Sequence, residues 1–356
     1  MNSARNWTLS QTSMRTEDWL MDSSATVITR PEADSAGRTH KLTRSQTRQA
    51  LVPMCFCALA CLFVGTSFGA AHLLSQYPYT TGQALRYGLA AVVLALVIRT
   101  QSHIERRRPQ SRPTTRSVLT LRHRLRIAAL AATGGVGFNL AILAAERTAE
   151  PAVPGVVVGC SPLVVAVLVP LLGRRRPSAR LACGALLVVT GAAVVQGFGH
   201  TTVAGLAFSL IALGGEVCFS LIAVPLLRVV SPLVLSANVC AAAAIEATVL
   251  AFAFGGLSAW RMPTTGQTAA LLWQALPVTV GAFCLFYAGL RRLGPERAQL
   301  FVGLMPIAAA GCAPVLGAGV LGWAQLTGSG LVGSGVILGS TGPAARPASE
   351  PDHQPS

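Results

Sequence analysis

The sequence predicts an all-α membrane protein of about ten transmembrane helices, arranged as two inverted five-helix repeats. Three observations predict this fold class: long apolar runs, an internal repeat and a one-sided distribution of arginine. Of the 356 residues, 52% are hydrophobic and only 12% are charged, which is about half the charged fraction of a soluble domain. The apolar runs reach the roughly 20 residues that cross a bilayer as a helix, and they lack the two-residue alternation of barrel strands.

The apolar runs also predict the boundaries of the helices. They cover residues 51–74, 79–98, 127–145, 151–172, 181–199, 202–224, 232–254, 269–290, 297–319 and 324–341. The polar segments 1–50 and 342–356 are expected to be disordered cytoplasmic tails. Between the tails, the helices form a first repeat over residues 51–199 and a second over residues 202–341.

The internal repeat relates residues 136–191 to the sequence about 144 positions further along. Sixteen of these 56 positions are identical in the two copies, without a gap. The identities include Pro162 with Pro306 and Pro170 with Pro314. A unit of five helices begins on one side of the membrane and ends on the other, so a second copy enters upside down. The repeat therefore predicts two halves related by a pseudo-two-fold axis in the membrane plane.

The net charge of +15 would suit a nucleic-acid-binding protein, but its distribution indicates membrane topology instead. Nine arginines lie in residues 99–126 and four in residues 174–180, whereas the loops on the opposite side contain only Arg147 and Arg261. Positively charged loops stay in the cytoplasm. We therefore predict a multi-pass protein of the plasma membrane with both termini cytoplasmic, and no nucleic-acid partner.

Equivalent turns of the two repeats differ in charge. The turn at residues 173–177 is basic, and its counterpart at residues 317–321 is uncharged. The turn at residues 146–150 is net acidic, and its counterpart at residues 290–294 is basic. Inverted repeats are expected to give this pattern, because their equivalent turns lie on opposite sides of the membrane.

Short motifs within the predicted helices resemble those of a known family. They are Gly65-Thr66-Ser67-Phe68, Ala84-Leu85-Arg86-Tyr87, Gly159-Cys160-Ser161-Pro162-Leu163 and Gly303-Leu304-Met305-Pro306-Ile307. In order and spacing they resemble the EamA-type ten-helix exporters of the drug/metabolite transporter (DMT) superfamily, over about residues 51–341. The Leu-Gly-Glu motif common in the family is altered here, because Arg174 and Ala318 follow the two glycines. The resemblance implies an inner-membrane bundle with a central cavity that works by alternating access.

The expected function is secondary transport, with export of small organic metabolites, amino acids or drugs. No Walker A sequence occurs in the chain, so ATP is not expected as the direct energy source. The expected partners are a small-molecule substrate and the lipid bilayer, a homodimer is left open, and no cofactor is expected. The alternatives are an intramembrane enzyme and a membrane scaffold or receptor.

An enzyme would need a nucleophile with a nearby base, and a metal site would need a set of ligands. The sequence shows no complete pattern for either. Gly65-Thr66-Ser67-Phe68-Gly69 fits Gly-x-Ser-x-Gly by its letters, but that motif requires a strand-to-helix turn. Cys55, Cys57 and Cys61 lie close together, yet a structural zinc site needs four ligands. We predict neither catalytic residues nor a metal site.

Three charged side chains lie within the predicted spans, where a charge costs about 2.5–3.5 kcal/mol. Glu216 is expected either to bind a proton or cation, or to pair with a neighbouring helix. Glu246 could be a second cavity carboxylate or the partner of an arginine. Arg86 could bind a substrate carboxylate, pair with a glutamate, or extend to the membrane interface.

Polar and kinked positions form a second group of candidates. Asn139, Gln274 and Tyr287 are each expected to line a cavity or to bond to a neighbouring helix. Four prolines are candidates for helix kinks, because proline removes a helical hydrogen bond. They are Pro162, Pro170, Pro306 and Pro314.

The charged candidates share one property. At the offset of about 144 residues, Arg86, Glu216 and Glu246 have no counterpart of their own kind. We therefore predict that function lies in these asymmetric residues, while the repeated prolines and glycines form the moving frame.

Overall fold

A computed structural model describes residues 51–67, 70, 73–74, 76–106, 119–150, 152–197, 200–312 and 322–340. All of them belong to the unit Arg48–Ser356. Within these ranges the protein is helical, apart from its turns and an isolated bridge between Ala149 and Thr201. Seven of the described helices are long and apolar enough to cross a membrane. The chain is therefore a multi-pass, all-helical membrane protein.

The helices are numbered here in chain order. They are α1 (Leu51–Ser67), α2 (Tyr79–Arg106), α3 (Leu121–Glu146), α4 (Val153–Leu172), α5 (Ala179–Gln196), α6 (Val203–Leu227), α7 (Pro232–Gly255), α8 (Thr265–Leu293), α9 (Pro295–Gln299, Leu300–Gly303 and Leu304–Cys312) and α10 (Trp323–Ser340). The seven membrane-length helices are α2 to α8. The sequence predicts ten crossings, three more than these seven.

Two helices, α2 and α3, extend farthest past their predicted ends. α2 continues to Arg106 instead of stopping at residue 98, and α3 begins at Leu121 instead of residue 127. Both extensions are rich in arginine, which has a high helix propensity. Hydropathy marks only the part of a helix that lies in the apolar layer, so it underestimates helices that project beyond that layer.

The regular α-helical pattern is interrupted at matching places in the two repeats. α3 contains a π-helical segment at Ala131–Gly137, and α8 contains one at Gln274–Gly281. Adding 144 to the first segment gives residues 275–281. α4 is interrupted at Cys160, and α9 has a 3-10 segment at Leu300–Gly303, which ends one position before the equivalent of Cys160.

Three of the four candidate prolines lie within the described helices. Pro162 falls in the first turn of the segment that restarts after Cys160, and Pro170 lies inside that segment. Pro306 lies in the Leu304–Cys312 part of α9, and Pro314 lies outside the described residues. The interruption of α4 therefore precedes Pro162, and proline occupies a first-turn position where it breaks no hydrogen bond.

Helices α5 and α10 meet backbone to backbone through glycines. A Cβ added to Gly184 would lie 2.8 Å from the Gly335 carbonyl oxygen, and one added to Gly191 would lie 2.7 Å from that of Gly328. From the first contact to the second, the residue number rises along α5 and falls along α10, so the two helices are antiparallel. Gly328 and Gly335 are also the repeat equivalents of Gly184 and Gly191. Each glycine thus meets the equivalent of the other, which is the self-complementary pattern of a two-fold interface.

The two ends of the bundle are distinguished by their turns. At one end, called here the mouth end, the turn between α3 and α4 meets the turn between α5 and α6, where the Glu150 N–H donates to the His200 carbonyl oxygen at 3.0 Å. At the other, the basic end, Arg175 Nη2 lies 3.7 Å from Glu296 Oε1. This contact joins the turn after α4 to the start of α9.

The main core lies between α2, α6, α7 and α8. Tyr87, Leu226 and Tyr287 are almost fully buried there. Large apolar side chains elsewhere point outward, and Phe254 is 82% exposed. An apolar outer surface is the arrangement expected for helices that face lipid.

Candidate functional site

A cavity of about 360 Å³ lies between the helices, within the size range of small-molecule sites. Its lining combines aromatic rings with a few polar side chains. The aromatic residues are Phe138, Phe219, Phe283 and Phe286, and the polar ones are Ser67, Arg86, Tyr87, Asn139, Glu146, Gln196 and Glu216. They come from α1, α2, α3, α5, α6 and α8, whereas α7 and α10 contribute no lining residue.

The cavity lies toward the mouth end. It follows α4 from Pro154 to Gly159 and α9 from Val302 to Ala309. Glu146 and Gln196, at the ends of α3 and α5, also line it. Neither of these two was a predicted site residue. The sequence analysis treats Glu146 only as part of an acidic turn. Its place at the end of an apolar helix is the feature that could have indicated a site residue.

Glu216 lines the cavity and belongs to a buried group of polar side chains. Gln299 Nε2 donates to Glu216 Oε1 and to Ser161 Oγ, each at 3.0 Å, and Ser220 Oγ donates to Gln299 Oε1 at 2.6 Å. Gln299 is 0% exposed. This group of four residues, the Gln299 cluster, connects α4, α6 and α9. Both amide N–H groups and the amide oxygen of Gln299 have partners.

Gln299 was not predicted as a site residue. It carries no charge, and it lies at the edge of a predicted span. The internal repeat did contain a signal, because the offset of 144 sets Gln299 opposite Gly155. A large amide opposite a glycine is a conspicuous difference between otherwise apolar helices.

Arg86 is held inside the bundle. It is 8% exposed, and its Nε donates to Thr279 Oγ1 at 2.7 Å. Thr279 Oγ1 in turn donates to the Gln274 carbonyl oxygen at 2.7 Å, within the π-helical segment of α8. Of the three alternatives predicted for Arg86, extension to the membrane interface does not fit this buried position. The Thr279 hydroxyl, which lies within the π-helical segment, thus holds the Arg86 side chain at the cavity wall.

Asn139 also lines the cavity, next to a second π-helical segment. Its Nδ2 donates to the Gly135 carbonyl oxygen at 2.6 Å and to Tyr87 Oη at 3.4 Å. The Tyr87 ring lies under the Arg86 guanidinium, with 5.2 Å from Cζ to the ring centroid. Both predicted roles of Asn139, cavity lining and helix-to-helix bonding, thus coincide in one side chain.

Three predicted candidates do not line this cavity: Glu246, Gln274 and Tyr287. Tyr287 is fully buried against Phe219, with 5.4 Å between ring centroids. Gln274 is buried in α8. The Glu246 Oε2 atom is buried without a hydrogen-bond partner among the described residues. The predicted pairing of Glu246 with an arginine is not found there.

The hydroxyls of the Gly-x-Ser-x-Gly sequence are engaged within α1. Thr66 Oγ1 donates to the Phe63 carbonyl oxygen at 2.7 Å, and Ser67 Oγ donates to that of Val64 at 2.6 Å. Both residues lie in a helix, so the strand-to-helix turn that exposes a nucleophile does not occur at this position. In the described part of the chain, no group of three His, Cys, Asp or Glu side chains could hold a metal ion.

The described helices form a membrane bundle that encloses a mainly apolar cavity with a few polar groups, the kind of site that binds a small molecule. Residues 51–196 match the model of the EamA-like transporter family. The chain is also 25% identical over 260 residues to the uncharacterized transporter YetK of Bacillus subtilis (strain 168), a match that covers 71% of this chain and 76% of YetK. The first of the two predicted repeats is therefore the part of the chain that is similar to the EamA-like transporter family.

A solved structure supports the fold. A crystal structure of a protein that is 18% identical in sequence superimposes with a TM-score of 0.68, over 81% of this chain and 96% of the other. At this identity the likeness concerns the fold alone. It shows that the arrangement of helices is one that a crystallised protein also adopts.

Proposed function

We propose that the chain is a secondary transporter that exports a small organic molecule by alternating access. The observation that carries this proposal is the cavity, which is large enough for a small molecule and brings Arg86, Asn139 and Glu216 to one surface. Metabolites, amino acids and drugs are the candidate substrates. Catalysis and a scaffold role are less well supported, because no nucleophile beside a base has been found in the described helices.

The proposed architecture is ten crossings in two inverted five-helix repeats. Three features support it: the antiparallel contact of α5 with α10, the equivalent π-helical segments of α3 and α8, and the opposite course of α4 and α9. Passing from the Gln299 cluster into the cavity, residue numbers fall along α4 and rise along α9. Inverted repeats require each such pair of equivalent helices to be antiparallel.

We further propose that the basic end faces the cytoplasm, with both termini on that side of the plasma membrane. The arginines at residues 174–176, 291 and 292 lie at this end, and positively charged loops remain cytoplasmic. Reporter fusions after residues 110 and 148 are expected to report opposite sides of the membrane. Both reporters on the same side would contradict this topology.

Glu216 is the proposed coupling group. It is the carboxylate that adjoins both the cavity and the Gln299 cluster, and a side chain that alternates between charged and neutral forms can exchange a proton for substrate. In proteoliposomes with an imposed pH gradient, Glu216→Gln should abolish gradient-driven flux while leaving exchange of substrate for substrate. Glu246→Gln, which alters a carboxylate away from the cavity, is the matched control. Gradient-driven flux that is unchanged in Glu216→Gln would refute this role.

A further inference from the structure

Gln299 and Gly155 occupy equivalent positions in α9 and α4, but their surroundings differ. Gly155 lines the cavity near the mouth end. Gln299 is completely buried and fills the space between α4, α6 and α9 toward the basic end. The cavity stops at Gly159 on α4 and Val302 on α9, next to the Gln299 cluster on both helices.

We propose that Gln299 is the positioning residue that holds the cavity closed toward the basic end and fixes the Glu216 carboxylate at its floor. Its three hydrogen bonds connect α4 through Ser161 with α6 through Glu216 and Ser220. These bonds cannot survive a separation of the three helices. Opening toward the basic end therefore requires the Gln299 cluster to break, and Glu216 then loses the amide that orients it.

The equivalent position of the other repeat lacks this connection between helices. Gly155 has no side chain, and a Cβ added to it would meet the amide at the end of the Gln196 side chain. An amide of α5 therefore lies beside α4 at the cavity wall, where α9 carries its own amide in the Gln299 cluster. The two repeats share a frame, while the hydrogen bonds that Gln299 makes between three helices have no counterpart from Gly155.

The inference rests on the proposed alternating access, and it is tested without any substrate. Two reporter cysteines, each alone in a chain whose other cysteines are replaced by alanine, are labelled with a membrane-impermeant maleimide. One is the native Cys160, next to Ser161. The other is Ser67→Cys, a near-isosteric change in the cavity wall.

The test variant is Gln299→Met, which keeps the length of the side chain but removes all three hydrogen bonds. We expect labelling of Cys160 from the basic end to rise about tenfold, from the loss of several hydrogen bonds, and labelling of Ser67→Cys from the mouth end to fall. Gln274→Met, at another buried glutamine, is the control and should change neither rate. General loosening of the bundle would raise both rates together and would overturn the proposal, as would unchanged labelling of both.

If Gln299→Met fails to fold, Ser161→Ala and Ser220→Ala each remove one bond of the cluster. Each should raise the labelling of Cys160 about threefold, and no change in either would equally overturn the proposal. A failure of the proposed function has a different signature. In that case the purified wild-type protein transports no substrate in either direction. The difference in labelling between Gln299→Met and the wild type would still test the role of Gln299.

Discussion

The two repeats agree along α5 and α10 and differ along α4 and α9. Where they agree, Gly184 faces Gly335 and Gly191 faces Gly328 across a pseudo-two-fold axis. A Cβ added to any of these four glycines would lie 2.6–2.8 Å from a backbone atom of the opposite helix. Where they differ, Gly155 lies at the cavity wall without a side chain, and Gln299 is a fully buried amide that bonds to two other helices. The repeated residues fix how the helices meet, whereas on our proposal the unmatched Gln299 decides which end can open.

The largest effect is expected when positions 155 and 299 are made alike. Gly155→Gln should abolish transport, because the new side chain would occupy the space of the Gln196 amide at the cavity wall. Transport in proteoliposomes and thermal unfolding of the purified protein are the measurements. Gly311→Gln, at an exposed α9 glycine with nothing within 4 Å, should keep its activity. Wild-type transport by Gly155→Gln would mean that the position has no role in access.

The shared frame can be tested by adding methyl groups to α5 and α10. The double variant Gly184→Ala/Gly191→Ala should lose about 2–6 kcal/mol of unfolding free energy, from about 1–3 kcal/mol of overpacking per site. The equivalent pair, Gly328→Ala with Gly335→Ala, should lose a similar amount, as measured by denaturant unfolding in detergent.

A control for this experiment exists on the same helix. Gly330 and Gly333 of α10 have nothing within 4 Å of an added Cβ. Replacing both with alanine should stabilise the protein slightly, because alanine exceeds glycine in helix propensity by about 1 kcal/mol. Equal losses in test and control variants would show that close packing is not what these glycines provide.

A smaller effect is expected at the π-helical segments, where the repeats also differ. Thr279 in α8 accepts from Arg86, whereas its equivalent in α3 is Gly135. Thr279→Val keeps the shape but leaves the buried Arg86 Nε unpaired, which should cost about 1–3 kcal/mol in unfolding free energy. Thr279→Ser retains the hydroxyl and should lose much less. Identical stability of the two variants would argue against this hydrogen bond.

The smallest effect is expected at the surface of the basic end. Arg175 and Glu296 are partly exposed and 3.7 Å apart, and such pairs contribute about 0–1 kcal/mol. Arg175→Gln should lower the melting temperature slightly at low salt and not at high salt, because salt screens exposed charges. Arg176→Gln is the matched control in the same turn. A large loss that persists in high salt would indicate a buried role for Arg175.

The sequence predicted the class of fold and most of the helices, because a lipid-facing helix must be apolar along most of its length. It underestimated α2 and α3 where arginines continue the helix, since hydropathy ends before hydrogen bonding does. It predicted Glu216, Arg86 and Asn139 as candidates because polar groups within apolar spans are conspicuous, and all three line the cavity.

The remaining site residues could not be found in the same way. Gln299 and Gln196 are neutral residues near helix ends, where amides are common and signal little. Glu246 and Tyr287 were as conspicuous as Glu216, but they lie away from the cavity, because polarity does not reveal which face of a helix a residue occupies. That face depends on helix rotation, and the π-helical segments alter rotation without a clear signal in the sequence.

Those segments have a consequence for changes in chain length. In a helix, each residue turns the chain by about 100°, and a π-helical turn accommodates one residue more than an α-helical turn. Deleting one residue from Ala131–Gly137 would let this turn close as an α-helical turn with one residue fewer, so the helix that follows would keep its phase. Asn139, Ile142 and Glu146 would then stay at the cavity wall. A deletion just after Asn139, in the regular part of α3, would instead rotate every later residue by about 100°, so α3 tolerates a change of length at one place and not a few residues further along.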